Sequence, residues 1–194
     1  MLLLSALVSF FGMQYTVLAP VFAEEILKGG AETLGFLMAA SGVGALFSGI
    51  YLATRQTVVG LGKLIVLGPA ILGIGLIGFA WSRLLPLSLL AMLFVGCGTI
   101  IQIAGSNTVL QTIVDEDKRG RVMSLYTMSF LGMIPFGNLV GGALAEKIGA
   151  PYTLIIDGIA CILGSIYFAK QLPALRKLVL VIYEQKGILT TAKH

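Results

Sequence analysis

The chain has 194 residues, of which 57% are hydrophobic and 11% charged, with a net charge of +4 and a mean hydropathy of +0.98. A soluble domain carries roughly 25% charged residues, so this surface has too few charges to face water and is predicted to face lipid. The basic residues are scattered among short loops rather than gathered on one face, which argues against a nucleic-acid partner.

Apolar runs of spanning length recur along the chain and predict an all-α, polytopic membrane protein with six transmembrane helices. Each run is long enough to cross a hydrocarbon core of about 30 Å at about 1.5 Å per residue. We predict one six-helix domain at 1–170 and a tail at 171–194, either a short helix on the membrane surface or a disordered segment. The predicted helices cover roughly residues 1–23, 33–53, 62–82, 85–113, 121–145 and 151–170.

The first predicted helix carries two polar side chains, Gln14 and Tyr15, in its middle. A secretory signal peptide is the alternative for this segment, because VFAEE resembles a cleavage site. The opening MLLLSALVSF lacks the basic region that such a peptide needs, which favours a membrane span.

Small residues recur at four-residue spacing on the second and fifth predicted helices. Lipid gives helices no hydrophobic reason to associate, so close backbone contact at small residues stabilises their association. We therefore predict close helix–helix contacts at Gly44, Gly137 and Gly141, and a bend near Pro135. The two rows are Ala40, Gly44 and Ser48, and Gly137, Gly141 and Ala145.

The fourth predicted helix carries most of the uncharged polar residues. Thr99, Gln102 and Ser106 fall within roughly 60° of one another at about 100° per residue, and Asn107 begins an adjacent row with Gln111. Amides in hydrocarbon need hydrogen-bond partners or water. Two interpretations stay open: these residues line a wet cavity with Gln14 and Tyr15, or they form hydrogen bonds between helices.

Six charges lie within seven residues at 115–121, between the fourth and fifth predicted helices. We interpret this stretch as a cytoplasmic turn, with acids at the end of one helix and bases at the start of the next. Both placements oppose the helix dipoles, so capping does not explain the order of charges. We predict a gating loop built on Asp115, Asp117, Arg119 and Arg121. A solvated turn that fixes topology is the alternative.

The sixth predicted helix contains Asp157, about 9 Å from its outer end. A carboxyl at this depth is a possible proton site, and a structural carboxyl bonded to a neighbouring helix is the alternative.

Catalytic patterns are missing from this sequence, which predicts that the chain is not an enzyme. The only histidine is His194, so no H-E-x-x-H zinc site exists, and no Gly-rich phosphate loop is present. Cys97 and Cys161 are too few and too isolated for a zinc site. We expect no metal and no cofactor.

Basic residues are distributed unevenly between the two ends of the predicted helices. An even number of spans puts both termini on one side, and the positive-inside rule makes that side cytoplasmic. We predict a multi-pass protein of the cell (inner) membrane with both termini in the cytoplasm. The inner side carries Arg55, Lys63, Lys118, Arg119, Arg121, Lys170, Arg176, Lys177, Lys186 and Lys193, and the outer side Lys28, Arg83 and Lys147.

Several segments of the chain are similar to those of one known family. SFFGMQYTVLAPVFAEEIL and LGFLMAASGVGALFSG resemble the seventh and eighth helices of major facilitator superfamily permeases, in the branch of drug, macrolide and siderophore exporters called transmembrane secretion effectors. The run from SNTVLQTIVDEDKRGRVMSLY to GGALAEKIGAP resembles their tenth and eleventh helices, and LIIDGIACILGS their twelfth. GIYLATRQTVVGLGK occupies the place of the family's gating loop but contains no aspartate.

The resemblance covers about residues 3–170 and only the C-terminal six-helix half of a twelve-helix transporter. It implies proton-coupled efflux of a hydrophobic or amphipathic small molecule. It also implies a partner, which is an absent N-terminal six-helix half or a second copy of the chain. The alternative is a non-transporting membrane scaffold or inactive fragment with a degenerate permease fold.

Overall fold

The structure, a computed structural model, describes residues 1–55 and 60–185, and the regular elements within those ranges are all helices. Six of its helical stretches are long and apolar enough to cross a membrane, which confirms the predicted all-α fold. We name them spans 1 to 6 in chain order: Leu2–Ile26, Ala31–Ala53, Leu61–Trp81, Leu85–Ile113, Glu116–Ile148 and Ala150–Pro173.

Span 1 is interrupted near its middle. A helix over Leu2–Gly12 ends before Met13 and Gln14, and a second helix over Tyr15–Val21 leads into a π-helical turn over Phe22–Ile26. At the interruption the Thr16 amide donates to the Met13 carbonyl at 3.1 Å, a three-residue step in place of the α-helical four. An irregular backbone of this kind is tolerated at membrane depth only where protein covers it.

Span 5 is divided at Gly132 into helices over Glu116–Leu131 and Met133–Ile148. Pro135 has no N–H to donate to the Leu131 carbonyl, so the α-helical ladder loses a bond at this point. The division lies where the sequence predicts a bend. The span begins at Glu116 rather than near 121, which places the charged stretch on the helix itself.

Span 6 belongs to a longer helix over Ala150–Gln185, which runs through Pro173 without ending there. The sequence predicts a break at this proline and a separate tail from residue 171. The structure instead continues the helix for several turns beyond the predicted end, and residues 186–194 lie outside the described part of the chain. A proline inside a membrane helix is tolerated where neighbouring groups satisfy the freed carbonyl.

Spans 2, 3, 4 and 6 touch one another backbone to backbone at glycines. Gly44 of span 2 lies against the Leu93 carbonyl of span 4, Gly98 of span 4 against Gly68 of span 3, and Gly73 of span 3 against Gly158 of span 6. The Ser165 hydroxyl of span 6 donates to the Val66 carbonyl of span 3 at 2.6 Å. We call these four helices the four-span unit.

Spans 1 and 5 form a second pair, the two-span unit. Gly137 of span 5 lies against the Phe10 carbonyl of span 1, and the Ser9 hydroxyl donates to the Phe130 carbonyl. Where span 1 meets the four-span unit, its glycine contacts are with side chains instead: Gly12 meets Leu72 of span 3. Backbone contacts at glycines therefore join the helices within each unit. The contact of Gly12 with Leu72, between the two units, is made through a side chain instead.

Candidate functional site

The six residues predicted to line a cavity divide into a buried group and one partly exposed member. Asn107 is the exception, since part of its surface remains accessible. The buried side chains are covered by other spans of the same chain. They are Gln14, Tyr15, Thr99, Gln102 and Ser106.

Gln14 lies at the interruption of span 1 and faces span 5. Its side chain is 2% exposed, and its Nε2 donates to the Phe10 carbonyl at 3.0 Å. Its Oε1 has no hydrogen-bond partner within the described ranges, and the side chain rests against Gly141. A larger residue at position 141 would occupy the space of this amide, so the small-residue row of span 5 accommodates Gln14.

The polar stripe of span 4 is buried together, as its helical spacing predicts. Thr99 Oγ1 donates to the Val95 carbonyl at 2.8 Å, and Gln102 Nε2 donates to Ser106 Oγ at 3.2 Å. Gln102 is 1% exposed, and its Cβ lies beside Gly68 of span 3. The base of this side chain is therefore enclosed within the four-span unit, and its role in a solute cavity stays a prediction.

Asn107 accepts a hydrogen bond from Gln111 Nε2, one turn further along span 4. Gln111 is exposed, so this amide pair extends from the partly covered to the open surface of the span. The two amides satisfy each other in part while leaving donors and acceptors available. Of the predicted cavity residues, Asn107 is the one that remains partly accessible, and its role in a solute cavity stays a prediction.

The charged stretch is a helix start rather than a turn between two helix ends. Span 4 ends at Ile113, Asp115 precedes the first turn of span 5, and Glu116 and Asp117 lie within that turn. Negative charge at a helix N-terminus is favourable, because it faces the positive end of the dipole. The interpretation that these acids oppose a dipole is therefore wrong: two or three residues of extended chain move them to the next helix.

Within this first turn the charges pair locally. Lys118 Nζ lies 3.9 Å from Asp115 Oδ2, and Arg119 Nη2 lies 3.8 Å from Glu116 Oε1. Both pairs are largely exposed, and such pairs contribute about 0–1 kcal/mol to stability. These contacts within one turn neither support nor oppose a gating role for Asp115, Asp117, Arg119 and Arg121, which stays a prediction.

A polar row on span 1 was not predicted from the sequence. Ser5 and Ser9 are both buried, one turn apart, on the side of span 1 that meets span 5. On span 5, the Tyr126 hydroxyl donates to the Ile103 carbonyl of span 4 at 2.9 Å and links the two units. The four-residue spacing of the serines is the signal in the sequence that indicates this row.

Among the described residues, no group of three histidine, cysteine, aspartate or glutamate side chains could hold a metal ion. Asp157 is buried in span 6, one turn from Cys161, while the other carboxyl groups between residues 1 and 173 are exposed.

Six helices that are long and apolar enough to cross a membrane indicate a multi-pass membrane protein. The model of the transmembrane secretion effector family matches residues 1–182. The chain belongs to this family of major facilitator superfamily transporters.

Relatives with curated sequences are similar at low identity. The chain is 26% identical over 169 residues to the staphyloferrin A transporter of Staphylococcus aureus, which covers 86% of this chain and 42% of that protein. It is 28% identical over 130 residues to the uncharacterized MFS-type transporter YfkF of Bacillus subtilis, covering 66% of this chain and 33% of that protein. The chain thus spans less than half the length of these relatives.

Proposed function

We propose that this chain is the C-terminal half of a proton-coupled exporter that moves a hydrophobic or amphipathic small molecule out of the cell. The family match over residues 1–182 carries this proposal, because the matched segment includes all six spans. Uncharged amides and a tyrosine among apolar side chains suit an amphipathic solute better than a sugar or an inorganic ion. A siderophore is one candidate, since a relative is a staphyloferrin A transporter.

The partner in this proposal is an N-terminal six-helix half. Facilitators move two halves around a site near the bilayer midplane, and this chain covers 42% of its staphyloferrin-transporting relative. Spans 2 and 5 are the least buried of the six and carry large exposed apolar side chains, which suits helices that contact a second half. Examples are Phe36, Leu46 and Phe47 on span 2, and Met128, Phe136 and Leu139 on span 5.

We place the protein in the cell (inner) membrane with both ends in the cytoplasm. Lys28, Arg83 and Lys147 lie beside the outer ends of the spans, and the larger group of basic residues lies at the inner ends. In this orientation the first turn of span 5 faces the cytoplasm. Arg121 and its neighbours there are proposed to contact the other half when the inner side is closed.

The export function is tested in the native cell. We would delete the gene that encodes this chain and follow efflux of two probes, the amphipathic cation ethidium and staphyloferrin A, with and without a plasmid copy. Slower efflux of either probe after deletion, restored by the plasmid, supports the exporter. If the undeleted strain contains the chain in its membrane at a normal level and deletion leaves the efflux of both probes unchanged, the non-transporting scaffold is favoured instead.

Substitution of Asn107 then tests whether this face of span 4 lines the solute site or has only a structural role. We expect Asn107→Ala to weaken the apparent affinity for the exported probe by about two- to tenfold, because losing one hydrogen bond to a solute costs about 0.5–1.5 kcal/mol. The measurement is efflux rate against probe concentration at equal membrane level. Thr108→Val, at the exposed neighbouring position, is the matched control and should leave the affinity unchanged.

If Asn107→Ala behaves as Thr108→Val does, Asn107 does not contact the solute.

Gln14 and Gln102 are proposed to hold the cavity-lining residues in place without contacting the solute, because both are almost fully covered. Alanine at both positions should then lower the amount of folded protein more than it changes the apparent affinity.

A further inference from the structure

Asp157 is the one buried carboxyl group among the residues whose side chains the structure describes. It is 1% exposed, and its Oδ2 has no hydrogen-bond partner there. The described ion pairs, Lys118 with Asp115 and Arg119 with Glu116, do not include it. A carboxylate in this position would be a buried charge without a compensating cation, which is among the most costly groups to place inside a membrane protein.

Contacts along span 6 show which helix this carboxyl group faces. Asp157, Cys161 and Gly164 share one face of the helix, at four- and three-residue spacing. Cys161 Sγ lies 3.5 Å from the position that a Cβ on Gly12 would take, and Gly164 lies against Leu7. Both Gly12 and Leu7 belong to span 1, so Asp157 is on the face of span 6 that meets span 1.

The level of Asp157 follows from the antiparallel direction of these two helices. Four residues separate it from Cys161, which is about 6 Å along the axis towards the outer side. The same step along span 1 from Gly12 reaches the residues after Met13 and Gln14. The carboxyl group is therefore level with the residues just after the interruption of span 1, at the start of its second helix.

The charged groups of the surrounding helices lie at the ends of the spans, with Glu24 and Glu25 at the outer end of span 1 and the charged residues 116–121 at the inner end of span 5. Cys161 is on span 6 itself, and Tyr15 is the buried titratable residue of span 1. Span 3 contributes Lys63, which is exposed at its inner end. The inner part of span 5 carries Tyr126, and its outer end carries exposed Glu146 and Lys147. No described cation is paired with Asp157 at its own depth.

We propose that Asp157 is a proton-binding site, held as the neutral acid in this conformation and deprotonated when the contact between spans 1 and 6 admits water. The neutral acid avoids the cost of a buried charge, and the interrupted helix opposite supplies the part of span 1 best able to rearrange. As a coupling step this inference rests on the proposed function. As a proton site it rests on geometry alone, and the experiment addresses that part.

The test uses dicyclohexylcarbodiimide, an apolar reagent that reacts with protonated carboxyl groups in apolar surroundings. The purified full chain in lipid nanodiscs is treated in neutral and in alkaline buffer, and the modified peptides are quantified by mass spectrometry. We expect Asp157 to be modified several-fold more than any exposed carboxyl group, and alkaline buffer to reduce this several-fold. Asp157→Asn should abolish the modification, and Glu146→Gln, at an exposed carboxyl position, should leave it unchanged.

A second measurement does not depend on the reagent. The infrared band of a protonated carboxyl group should be present in the wild-type chain at neutral pH and absent in Asp157→Asn, with both proteins eluting as single folded species. An unmodified Asp157 without such a band overturns the proposal, as does modification that alkaline buffer leaves unchanged. The proposal is also overturned if Asp157 is protected from modification when sodium replaces choline in the buffer, because the site would then hold a metal cation. None of these outcomes depends on export, so failure of the exporter proposal remains distinguishable.

Discussion

Gly44→Leu is expected to prevent spans 2 and 4 from assembling, whereas Gly42→Leu, two residues away on the same helix, leaves the fold intact. A Cβ at position 44 would lie 2.8 Å from the Leu93 carbonyl carbon and 3.1 Å from the Cys97 amide nitrogen. These are backbone atoms, which cannot rotate away as a side chain can. We expect a loss of about 3 kcal/mol or more, at the upper end of overpacking effects.

The measurement is the yield of monodisperse protein in detergent and the temperature at which that peak is lost. Position 42 has nothing within 4 Å of its Cβ, so its leucine variant controls for added apolar bulk on span 2. Equal yield and equal thermal stability for the two variants would show that spans 2 and 4 do not approach at Gly44.

Gly137→Leu is expected to separate the two-span unit while leaving the four-span unit assembled. A Cβ at position 137 would lie 2.9 Å from the Phe10 carbonyl carbon and 3.0 Å from its Cα, so spans 1 and 5 would have to move apart. The Ser9 bond to the Phe130 carbonyl would be lost with this contact. The three heavy atoms nearest to a Cβ at position 137 all belong to Phe10 of span 1.

Cross-linking distinguishes this local separation from global unfolding. Cysteines introduced in pairs across spans 1 and 5, and across spans 2 and 4, should show a several-fold loss of cross-linking for the first pair only. Gly142→Leu is the matched control on span 5, because nothing lies within 4 Å of its Cβ. Loss of both cross-links would mean that the six helices form one cooperative unit rather than two.

The small-residue rows show which features of helix packing a sequence pattern predicts and which it does not. Spacing predicts that Gly44 and Gly137 lie in helix contacts, because only small residues permit close approach in lipid. Spacing does not indicate which helix each one meets. The structure also brings Ser41, rather than Ala40, to the contact with Gly96 of span 4. A one-residue change of this kind depends on the crossing angle of two helices, which no single helix determines.

The charged stretch shows a different limit. Charges mark the boundary between spans 4 and 5 clearly, but their sign order does not reveal which helix they belong to. Asp115 has an extended backbone and Glu116 starts the helix, so the acids lie at the favourable dipole end of span 5. The predicted start near residue 121 is five residues too late, because a helix can begin in water before it enters the membrane.

Length, hydropathy and the spacing of small and polar residues predicted six membrane-spanning helices within residues 1–173, and the motifs indicated the family. Each of these properties can be read from the sequence of a single helix without reference to its neighbours. Tertiary structure decided which polar residues are enclosed, that Gln102 lies beside span 3 while Asn107 stays partly accessible, and that Asp157 is on the face of span 6 that meets span 1. The physical reason is that burial of a side chain depends on the neighbours its helix acquires, and six helices of similar hydropathy can be arranged in many ways.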